Sequence, residues 1–278
     1  MTYRETVNLG EKVLSMADIA EAKTDAWLLL EMVCKIDRSF YYLHMAEEMP
    51  EEQMSEYQIA LRKRAEHVPL QYIVGETEFM GLKFKVNSSV LIPRQDTETL
   101  VEEALKVVRP GMRVLDLCTG SGCILLSLLH YSNDCEGVGV DISQEALRVA
   151  AQNAELLDIK ADFLKSDLYE KVTGKFDLLV SNPPYIERKV IPTLMEEVRE
   201  YDPYIALDGG EDGLDFYRRI IGGAQDYLKR GGQILMEIGS GQAKAVSELL
   251  REAGFKEIDV CRDFAGLDRV VSGRLPIL

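Results

Sequence analysis

The chain has 278 residues, of which 46% are hydrophobic and 28% are charged, and its formal net charge is −15. This length predicts two domains or one large one, and the composition is that of an ordinary soluble protein without a stretch long enough to span a membrane. The acidic balance argues against a protein that grips nucleic acid phosphates, and it favours a basic protein partner.

The cysteines and histidines exclude several classes of site. Five cysteines include no C-x-x-C pair, and the three histidines are far apart in the sequence. This usage argues against a disulfide framework, a zinc site and a Ser-His-Asp triad. The first residues also lack the basic and apolar regions of a secretory signal. We therefore expect a cytoplasmic protein with reduced thiols and no metal.

Residues 1–74 are predicted to form a small helical domain. Thr6–Met16 is amphipathic, and Thr24 or Asp25 can cap a second helix. A third helical stretch, Glu47–His67, is highly charged. Substrate docking is one role for this domain, and the alternative is a plain extension of the main fold.

Residues 75–92 are predicted to form a β-hairpin connector, because Phe79–Val86 alternates apolar and polar residues around a glycine. After it, Asp96 is a candidate cap for a helix over Thr97–Val108. Residues 93–278 then form the predicted catalytic domain.

The catalytic region alternates strands with helices from Arg113 onward, which predicts a parallel α/β sheet covered by helices on both faces. The predicted strands are Val114–Leu117, Gly137–Val140, Phe163-Leu164, Phe176–Ser181, Gln233–Ile238, Glu257–Cys261 and Arg269–Gly273. The predicted helices are Ile124–His130, Ser143–Leu157, Phe216–Leu228 and Gln242–Ala253. A long polar excursion covers Glu187–Asp215.

The stretch Phe176–Ile186 reads FDLLVSNPPYI and carries the first chemical motif. Its apolar half predicts a buried strand, which the two prolines end because proline has no amide N–H. In an open α/β sheet, ligands bind at the carboxyl ends of the strands. The Asn182 side-chain oxygen and the Pro183 carbonyl could accept both N–H bonds of an NH2 group, while Tyr185 stacks on it. This arrangement suits methylation of a planar nitrogen by positioning and preorganised dipoles; the alternative is a proline-rich turn after a core strand.

A glycine turn, Cys118–Gly122, follows the strand that contains Asp116. Such a turn lets the backbone approach a ligand, and Asp141 at the end of the next strand could accept both hydroxyls of a ribose. The turn lacks the third glycine of the G-x-G-x-x-G dinucleotide fingerprint. It resembles the S-adenosylmethionine (SAM) loop of class I methyltransferases instead. Asp167, after the following strand, would lie near the adenine, or it only caps a turn.

With both motifs placed, the sequence resembles the protein-(glutamine-N5) methyltransferases that modify peptide chain release factors. The resemblance covers nearly the whole chain. Its most specific segments are Pro69–Gly75 with Phe79 and Gly81, Val90–Arg94 with Thr97 and Glu98, the SNPPYI turn, and Ala206–Gly210 with Asp212–Leu214.

The resemblance implies a Rossmann-like, seven-stranded mixed sheet whose last strand is antiparallel, with SAM as cofactor. The implied substrate is the glutamine of the Gly-Gly-Gln motif in release factors. The implied cofactor-binding residues are Cys118, Thr119, Gly120, Ser121, Gly122, Asp141, Asp167, Leu168 and Asn182. The implied catalytic and substrate-binding residues are Asn182, Pro183, Pro184 and Tyr185.

Three positions depart from the family pattern. Gln95-Asp96 replaces a Pro-Glu pair, Leu168 replaces an aromatic residue near the adenine, and Asp202-Pro203 replaces Glu-Pro. None of these changes removes a group that the proposed chemistry needs.

Four alternatives are weighed against this hypothesis. A DNA adenine-N6 methyltransferase uses the same motif logic but must hold DNA, and residues 187–215 carry 9 acidic and 3 basic residues, a net of −6. A ribosomal-protein glutamine methyltransferase differs only in the family-specific segments. A non-catalytic SAM-fold module would show a broken motif, and a hydride-transfer enzyme is disfavoured by the glycine pattern.

Overall fold

The computed structural model describes residues 1–132 and 134–277, so Asn133 and Leu278 of the predicted catalytic domain lie outside the described residues. The chain divides into two compact units. The first comprises Met1–Gly75 and Met195–Tyr201, and the second comprises the remainder. The finer division into 1–74, 75–92 and 93–278 stays a prediction.

The helices are α1 (Tyr3–Met16), α2 (Ala22–Cys34), α3 (Arg38–His44), α4 (Glu51–Ala65), α5 (Leu70–Val74), α6 (Gln95–Val107), α7 (Cys123–Tyr131), α8 (Gln144–Leu156), α9 (Glu196–Tyr201), α10 (Tyr204–Leu207), α11 (Asp215–Tyr227) and α12 (Ala243–Glu252). The strands are β1 (Glu76–Phe79), β2 (Leu82–Lys85), β3 (Arg113–Leu117), β4 (Glu136–Asp141), β5 (Asp162–Lys165), β6 (Phe176–Ser181), β7 (Leu228–Glu237), β8 (Lys256–Arg262) and β9 (Asp268–Arg274). None of the helices in the described ranges is long and apolar enough to cross a membrane.

The first unit is helical, which confirms the predicted N-terminal all-α domain. Helix α1 begins with a capping box between Thr2 and Glu5, so two amide groups at its start are satisfied. The core of the first unit contains Leu14, Leu29 and Leu30, all fully buried. Burial of these side chains on the facing sides of α1 and α2 is what holds the short helices together.

The predicted cap of the second helix is wrong. Helix α2 begins at Ala22, and neither Thr24 nor Asp25 caps it. Asp25 instead lies buried inside the helix, where its Oδ2 accepts a hydrogen bond from Arg64 Nε at 2.6 Å. The sequence pattern typical of a helix cap was misleading here, because Asp25 pairs with Arg64 on α4 instead.

The second unit contains a seven-stranded sheet in the order β5-β4-β3-β6-β7-β9-β8. Strands β3 to β7 are parallel, and β9 is antiparallel to both of its neighbours. This topology confirms the predicted class I methyltransferase fold. The strand order reverses between β3 and β6, which creates a crevice at the carboxyl ends of these strands, the place where open α/β sheets bind ligands.

The hairpin β1–β2 is antiparallel, with Phe79 opposite Leu82, as the alternating pattern predicts. Gly81 in its turn has a φ of +70°, which glycine adopts without strain. Phe79 and Phe84 are both buried in a hydrophobic cluster with α6 and α7. The hairpin therefore packs as part of the second unit.

Three sequence predictions for the region after residue 93 are wrong. Helix α6 begins at Gln95, one residue before the predicted cap Asp96, whose carboxylate lies 3.1 Å from Arg269 Nη2. Strand β7 begins at Leu228 rather than at residue 233, because Gly231 and Gly232 exchange backbone hydrogen bonds with Leu275. The excursion 187–215 also contains a 3-10 turn, α9 and α10, which its polar composition did not predict.

Candidate active site

A cavity lies at the carboxyl edge of the sheet in the second unit. It brings together most of the predicted site residues, namely Cys118, Thr119, Gly120, Ser121, Asp141, Asp167, Leu168, Asn182 and Pro184. Gly122, Pro183 and Tyr185 are not among its lining residues. The two motifs of the sequence therefore contribute to one cavity.

The glycine turn is fixed by short polar contacts to neighbouring strands. The Thr119 hydroxyl donates to Asp116 Oδ2 at 2.6 Å, and its amide donates to the Val140 carbonyl on β4 at 2.9 Å. Gly120 has a φ of +54°, so its backbone can line the cavity without a side chain in the way. A Cβ on Gly122 would lie 3.2 Å from the Cβ of Ala150 on α8. Gly122 thus serves close helix packing, which agrees with its absence from the cavity wall.

Asp141 connects the turn to the start of α8. Its Oδ2 accepts a hydrogen bond from the Gly120 amide and its Oδ1 from the Ser143 amide, both at 2.9 Å. Burial raises the pKa of Asp141, while these backbone donors favour its charged form. Because a carboxylate offers about four acceptor positions, about two remain for a ligand.

Part of the cavity wall is apolar and lies beside an ion pair. Leu168 and Phe216 line the cavity, and Arg219 Nη2 donates to Asp167 Oδ1 at 2.7 Å. The Arg219 guanidinium also lies 5.8 Å from the centre of the Phe216 ring. Asp167 thus forms an ion pair with Arg219. A flat group could bind between the apolar side chains of Leu168 and Phe216.

The turn that follows β6 forms another part of the cavity wall. Asn182 lines the cavity and its Nδ2 donates to the Thr97 hydroxyl at 3.3 Å, which occupies the donor end of the amide. The Tyr185 hydroxyl donates to Glu237 Oε1 at 3.3 Å, and burial raises the pKa of Tyr185 well above its usual value. The tyrosine is therefore anchored on β7.

The backbone of this turn is enclosed by the segment that precedes α11. The Ile186 amide donates to the Leu207 carbonyl, and Gln242 Nε2 donates to the Tyr185 carbonyl, both at 3.0 Å. A Cβ on Gly209 would lie 2.7 Å from Tyr185 Cα, so only glycine fits at this close approach. These contacts make the turn rigid.

A second ion pair involves Arg94, which lines the cavity. Arg94 Nη2 donates to Asp202 Oδ2 at 2.6 Å, and the Asp202 side chain is fully buried. The pair holds the chain so that Pro203 and Ile205 line the cavity with Arg94. Arg94 belongs to a segment that the resemblance singles out, and Asp202 to a pair that departs from the family pattern, although no role is predicted for either.

Further residues of the cavity were not predicted from the sequence. They include Ser89, Val90, Leu91, Pro93, Arg94, Thr97, Phe216 and Arg219, with others from the excursion and from the neighbourhood of the glycine turn and Asp141. The resemblance to the Val90–Arg94 and Thr97 segment was the signal that could have found most of them. Phe216 and Arg219 lie on an amphipathic helix, where the sequence gives no such signal.

Two buried carboxyl groups lie behind the cavity. Glu237 is 2% exposed, and burial raises its pKa to about 7 against the opposing effects of Thr97, Arg269 and Tyr185. Asp116 is fully buried, and burial raises its pKa also to about 7 against the hydrogen bond from Thr119. Each keeps one oxygen without a hydrogen bond in the described part of the chain.

Comparison with known proteins decides the family. The sequence matches the family described as PrmC N-terminal domain over residues 5–75 and the methyltransferase small domain over residues 95–200. A release factor glutamine methyltransferase of Clostridium acetobutylicum is 45% identical over 254 residues, covering 89% of both chains. The chain belongs to the release factor glutamine methyltransferase family.

A second member of this family, from Geobacter sulfurreducens, is 40% identical and covers 99% of this chain and 97% of its own. The fold also matches the structure of a 16S rRNA N2 G1207 methyltransferase of T. thermophilus in complex with AdoMet and guanosine. That match has a TM-score of 0.51 at 19% identity and covers 72% of this chain and 49% of the other. It supports the fold alone. The family assignment confirms the resemblance read from the motifs, and the protein is a protein-(glutamine-N5) methyltransferase.

Proposed function

We propose that the protein transfers a methyl group from SAM to the side-chain amide nitrogen of the glutamine in the Gly-Gly-Gln motif of peptide chain release factors. The observation that carries this proposal is the single cavity that joins the turn held by Asp141 to the turn that contains Asn182. Cofactor and acceptor must meet for direct transfer, and this cavity is where they could meet.

The cavity fits SAM. Asp141 retains free acceptor positions for ribose hydroxyls, Gly120 leaves the backbone open, and Leu168 with Phe216 offers an apolar slot for a flat base. When bound there, SAM supplies a methyl group activated by a sulfonium. Cys118, Thr119, Ser121 and Asp167 complete the proposed cofactor wall.

The substrate half of the proposal rests on two acceptors. Asn182 Oδ1 and the Pro183 carbonyl would each accept one N–H of the glutamine amide, which fixes the plane of the NH2 group. The nitrogen lone pair of an amide is delocalised, so holding both N–H bonds favours the pyramidal geometry that attack requires. Pro184 restricts the same turn, and the hydrogen bond from Tyr185 to Glu237 keeps the ring fixed beside it.

The competing substrates differ in charge and in target group. A DNA adenine enzyme would need a basic surface, yet residues 187–215 carry 9 acidic against 3 basic residues, a net of −6. A ribosomal-protein glutamine would present the same amide, and the family assignment favours release factors over it.

Transfer of label from methyl-labelled SAM tests the proposal. A purified release factor, the same factor with its Gly-Gly-Gln glutamine replaced by alanine, and duplex DNA are incubated side by side with the enzyme. Label on the intact factor alone is the expected result. Label on DNA, equal label on both factors, or SAM binding with no label on any of the three would contradict the proposed substrate.

A further inference from the structure

A polar route leads from Asn182 to a buried carboxyl group that does not line the cavity. Asn182 Nδ2 donates to Thr97 Oγ1 at 3.3 Å, and Thr97 on α6 is only 2% exposed. Thr97 also favours the charged form of Glu237, which lies near it. Strands β6 and β7 pair with Ser181 opposite Met236, so the residues that follow, Asn182 and Glu237, leave the sheet side by side.

The direction of this route depends on the single proton of the Thr97 hydroxyl. Glu237 Oε2 is buried without a hydrogen bond in the described chain, and an ionised carboxylate only accepts hydrogen bonds. A Thr97 hydroxyl that turns its proton to this oxygen leaves the lone pairs of Thr97 Oγ1 for a donor. The only donor on a carboxamide is its NH2 group. Asn182 must therefore place its nitrogen on Thr97 and its oxygen on the opposite side.

The orientation matters because the two ends of a carboxamide have the same shape and opposite polarity. With Oδ1 toward the cavity, Asn182 accepts an N–H of the substrate amide. With Nδ2 toward the cavity, it would present a donor to a donor, and the substrate NH2 group could not be held. A hydrogen-bond chain that ends on a charge also polarises its members in one direction, which strengthens the acceptor.

We propose that Glu237 is a positioning residue that acts through Thr97 to fix the orientation of the Asn182 carboxamide, so that its oxygen faces the substrate amide. The inference rests on the proposed function of Asn182. It adds a role for a buried carboxylate that does not line the cavity and that neither motif includes.

The surroundings of Glu237 fit this role. Its Oε1 accepts the Tyr185 hydroxyl at 3.3 Å, and its Oε2 has no hydrogen bond in the described chain and so can receive the Thr97 proton. The charged groups that face it are Arg269, which favours the carboxylate, and Asp96, which opposes it. Arg269 is itself fixed by Asp263 Oδ2 at 3.0 Å.

The test compares Thr97→Val, Thr97→Ser and Glu237→Gln with a matched control, Thr99→Val. Thr99 is buried on the same helix, and its hydroxyl has no hydrogen bond within the described residues. Thr97→Val should lower kcat for a release factor by about 10- to 100-fold, because it removes the fixed acceptor for Asn182. Thr97→Ser should restore most of the rate, and the KM for SAM should stay within about twofold in all four variants.

Glu237→Gln supplies two readouts that a purely structural role would not move. Because glutamine both donates and accepts, it cannot set the direction of the chain, so kcat should fall by about tenfold or more. The double variant Thr97→Val, Glu237→Gln should be no slower than Thr97→Val alone. The wild-type kcat should rise with pH through a step near neutrality, since protonated Glu237 can donate to Thr97, and this step should disappear in Glu237→Gln.

A measurement without substrate separates this inference from the proposed function. The side-chain amide resonances of Asn182, assigned by their loss in Asn182→Ala, should shift in Thr97→Val and in Glu237→Gln but not in Thr99→Val. If the wild type methylates a release factor and both variants keep kcat within twofold, the positioning role is wrong and the proposed function stands. Unchanged amide resonances in both variants would overturn it whatever the substrate. A wild type that labels no release factor would contradict the proposed function alone.

Discussion

Replacing Arg64 by methionine should destabilise the first unit by about 3–5 kcal/mol at pH 7, the usual cost of removing one partner of a buried ion pair. Arg64 Nε donates to Asp25 Oδ2 and Nη2 donates to Glu197 Oε1, each at 2.6 Å. Asp25 is 5% exposed, so without the guanidinium it must either keep a buried charge or take up a proton. Glu197 is more exposed, and water can replace its partner.

The cost should depend on pH with a defined sign. Burial raises the pKa of Asp25 even with Arg64 in place, and the variant removes the main opposing effect. When folding raises the pKa of a carboxyl group, the folded state loses stability as the pH rises from the pKa in the unfolded state to the pKa in the folded state. The loss from Arg64→Met should therefore be largest at neutral pH and shrink as the pH falls toward 4.

A double variant and a surface variant make the reasoning testable. Asp25→Leu combined with Arg64→Met replaces the pair by apolar side chains and should recover most of the loss, since such replacements are often neutral or stabilising. Arg62→Met lies on the same helix with an exposed side chain and should change stability by no more than about 0.5 kcal/mol.

The single tryptophan gives an assay for this unit. Trp27 lies on α2, is 6% exposed and packs edge-on against Tyr41, with ring centroids 5.1 Å apart. Urea unfolding followed by its fluorescence reports the first unit, while far-ultraviolet circular dichroism reports the whole chain. A loss below about 1 kcal/mol for Arg64→Met, or a double variant no more stable than Arg64→Met alone, would refute the argument that the isolated buried charge causes the cost.

Three further predictions concern the second unit. Asn182→Ala should lower kcat by about 10²- to 10³-fold with nearly unchanged SAM affinity, whereas Asp141→Ala should weaken SAM binding first, as calorimetry and steady-state kinetics would show. Gly209→Ala should reduce both stability and kcat, because the added Cβ would lie 2.7 Å from the backbone of Tyr185. At Gly222 the added Cβ meets no described neighbouring atom within 4 Å, so Gly222→Ala should stabilise the chain by about 0.5–1 kcal/mol in urea unfolding. Because folding raises the pKa of Glu237 from 4.5 to about 7, the wild type should lose stability between these pH values, and Glu237→Gln should lose up to about 3 kcal/mol less over that window in the same assay.

The α/β architecture could be predicted from the sequence because the alternation of strands with helices, and the glycines and prolines that end them, are local signals. Gly174 and Pro183 bound β6 closely, and the predicted strand Phe176–Ser181 is observed without change. The seven-stranded sheet with its antiparallel β9 came from the resemblance and not from periodicity, and the order of the strands was not predicted. Pairing across the sheet joins residues that are distant in the chain, and no local pattern encodes it.

The two wrong helix caps share one physical cause. Asp25 and Asp96 were both interpreted as helix caps, since aspartate before an apolar run is a common cap. Each instead faces an arginine from a distant part of its own unit, Arg64 and Arg269 respectively. A carboxylate can satisfy a helix amide or a guanidinium equally well, and only the tertiary fold decides between them.

Some residues of the candidate site could be predicted from the sequence and others could not. The glycine turn and the double proline leave visible marks because they need special backbone conformations, and both turns line the observed cavity. Thr97 and Glu237 need no special backbone conformation, and only Thr97 is singled out by the family resemblance. They lie on a helix and a strand where threonine and glutamate are ordinary residues. Glu237 lies beside Asn182 because β6 pairs with β7, and Thr97 reaches Asn182 from α6.

Specificity for an amide substrate depends on which end of the Asn182 carboxamide faces the substrate. The Pro183 carbonyl is fixed by the backbone and can only accept, so it needs no further support. The Asn182 carboxamide can rotate by half a turn at almost no cost in shape, and nothing within the motif chooses between its two orientations. A hydroxyl alone cannot choose either, since Thr97 could donate or accept. The choice requires a group that only accepts, and the neighbouring strand supplies one when Glu237 is ionised. The orientation of Asn182 on β6 would then depend on a residue of β7.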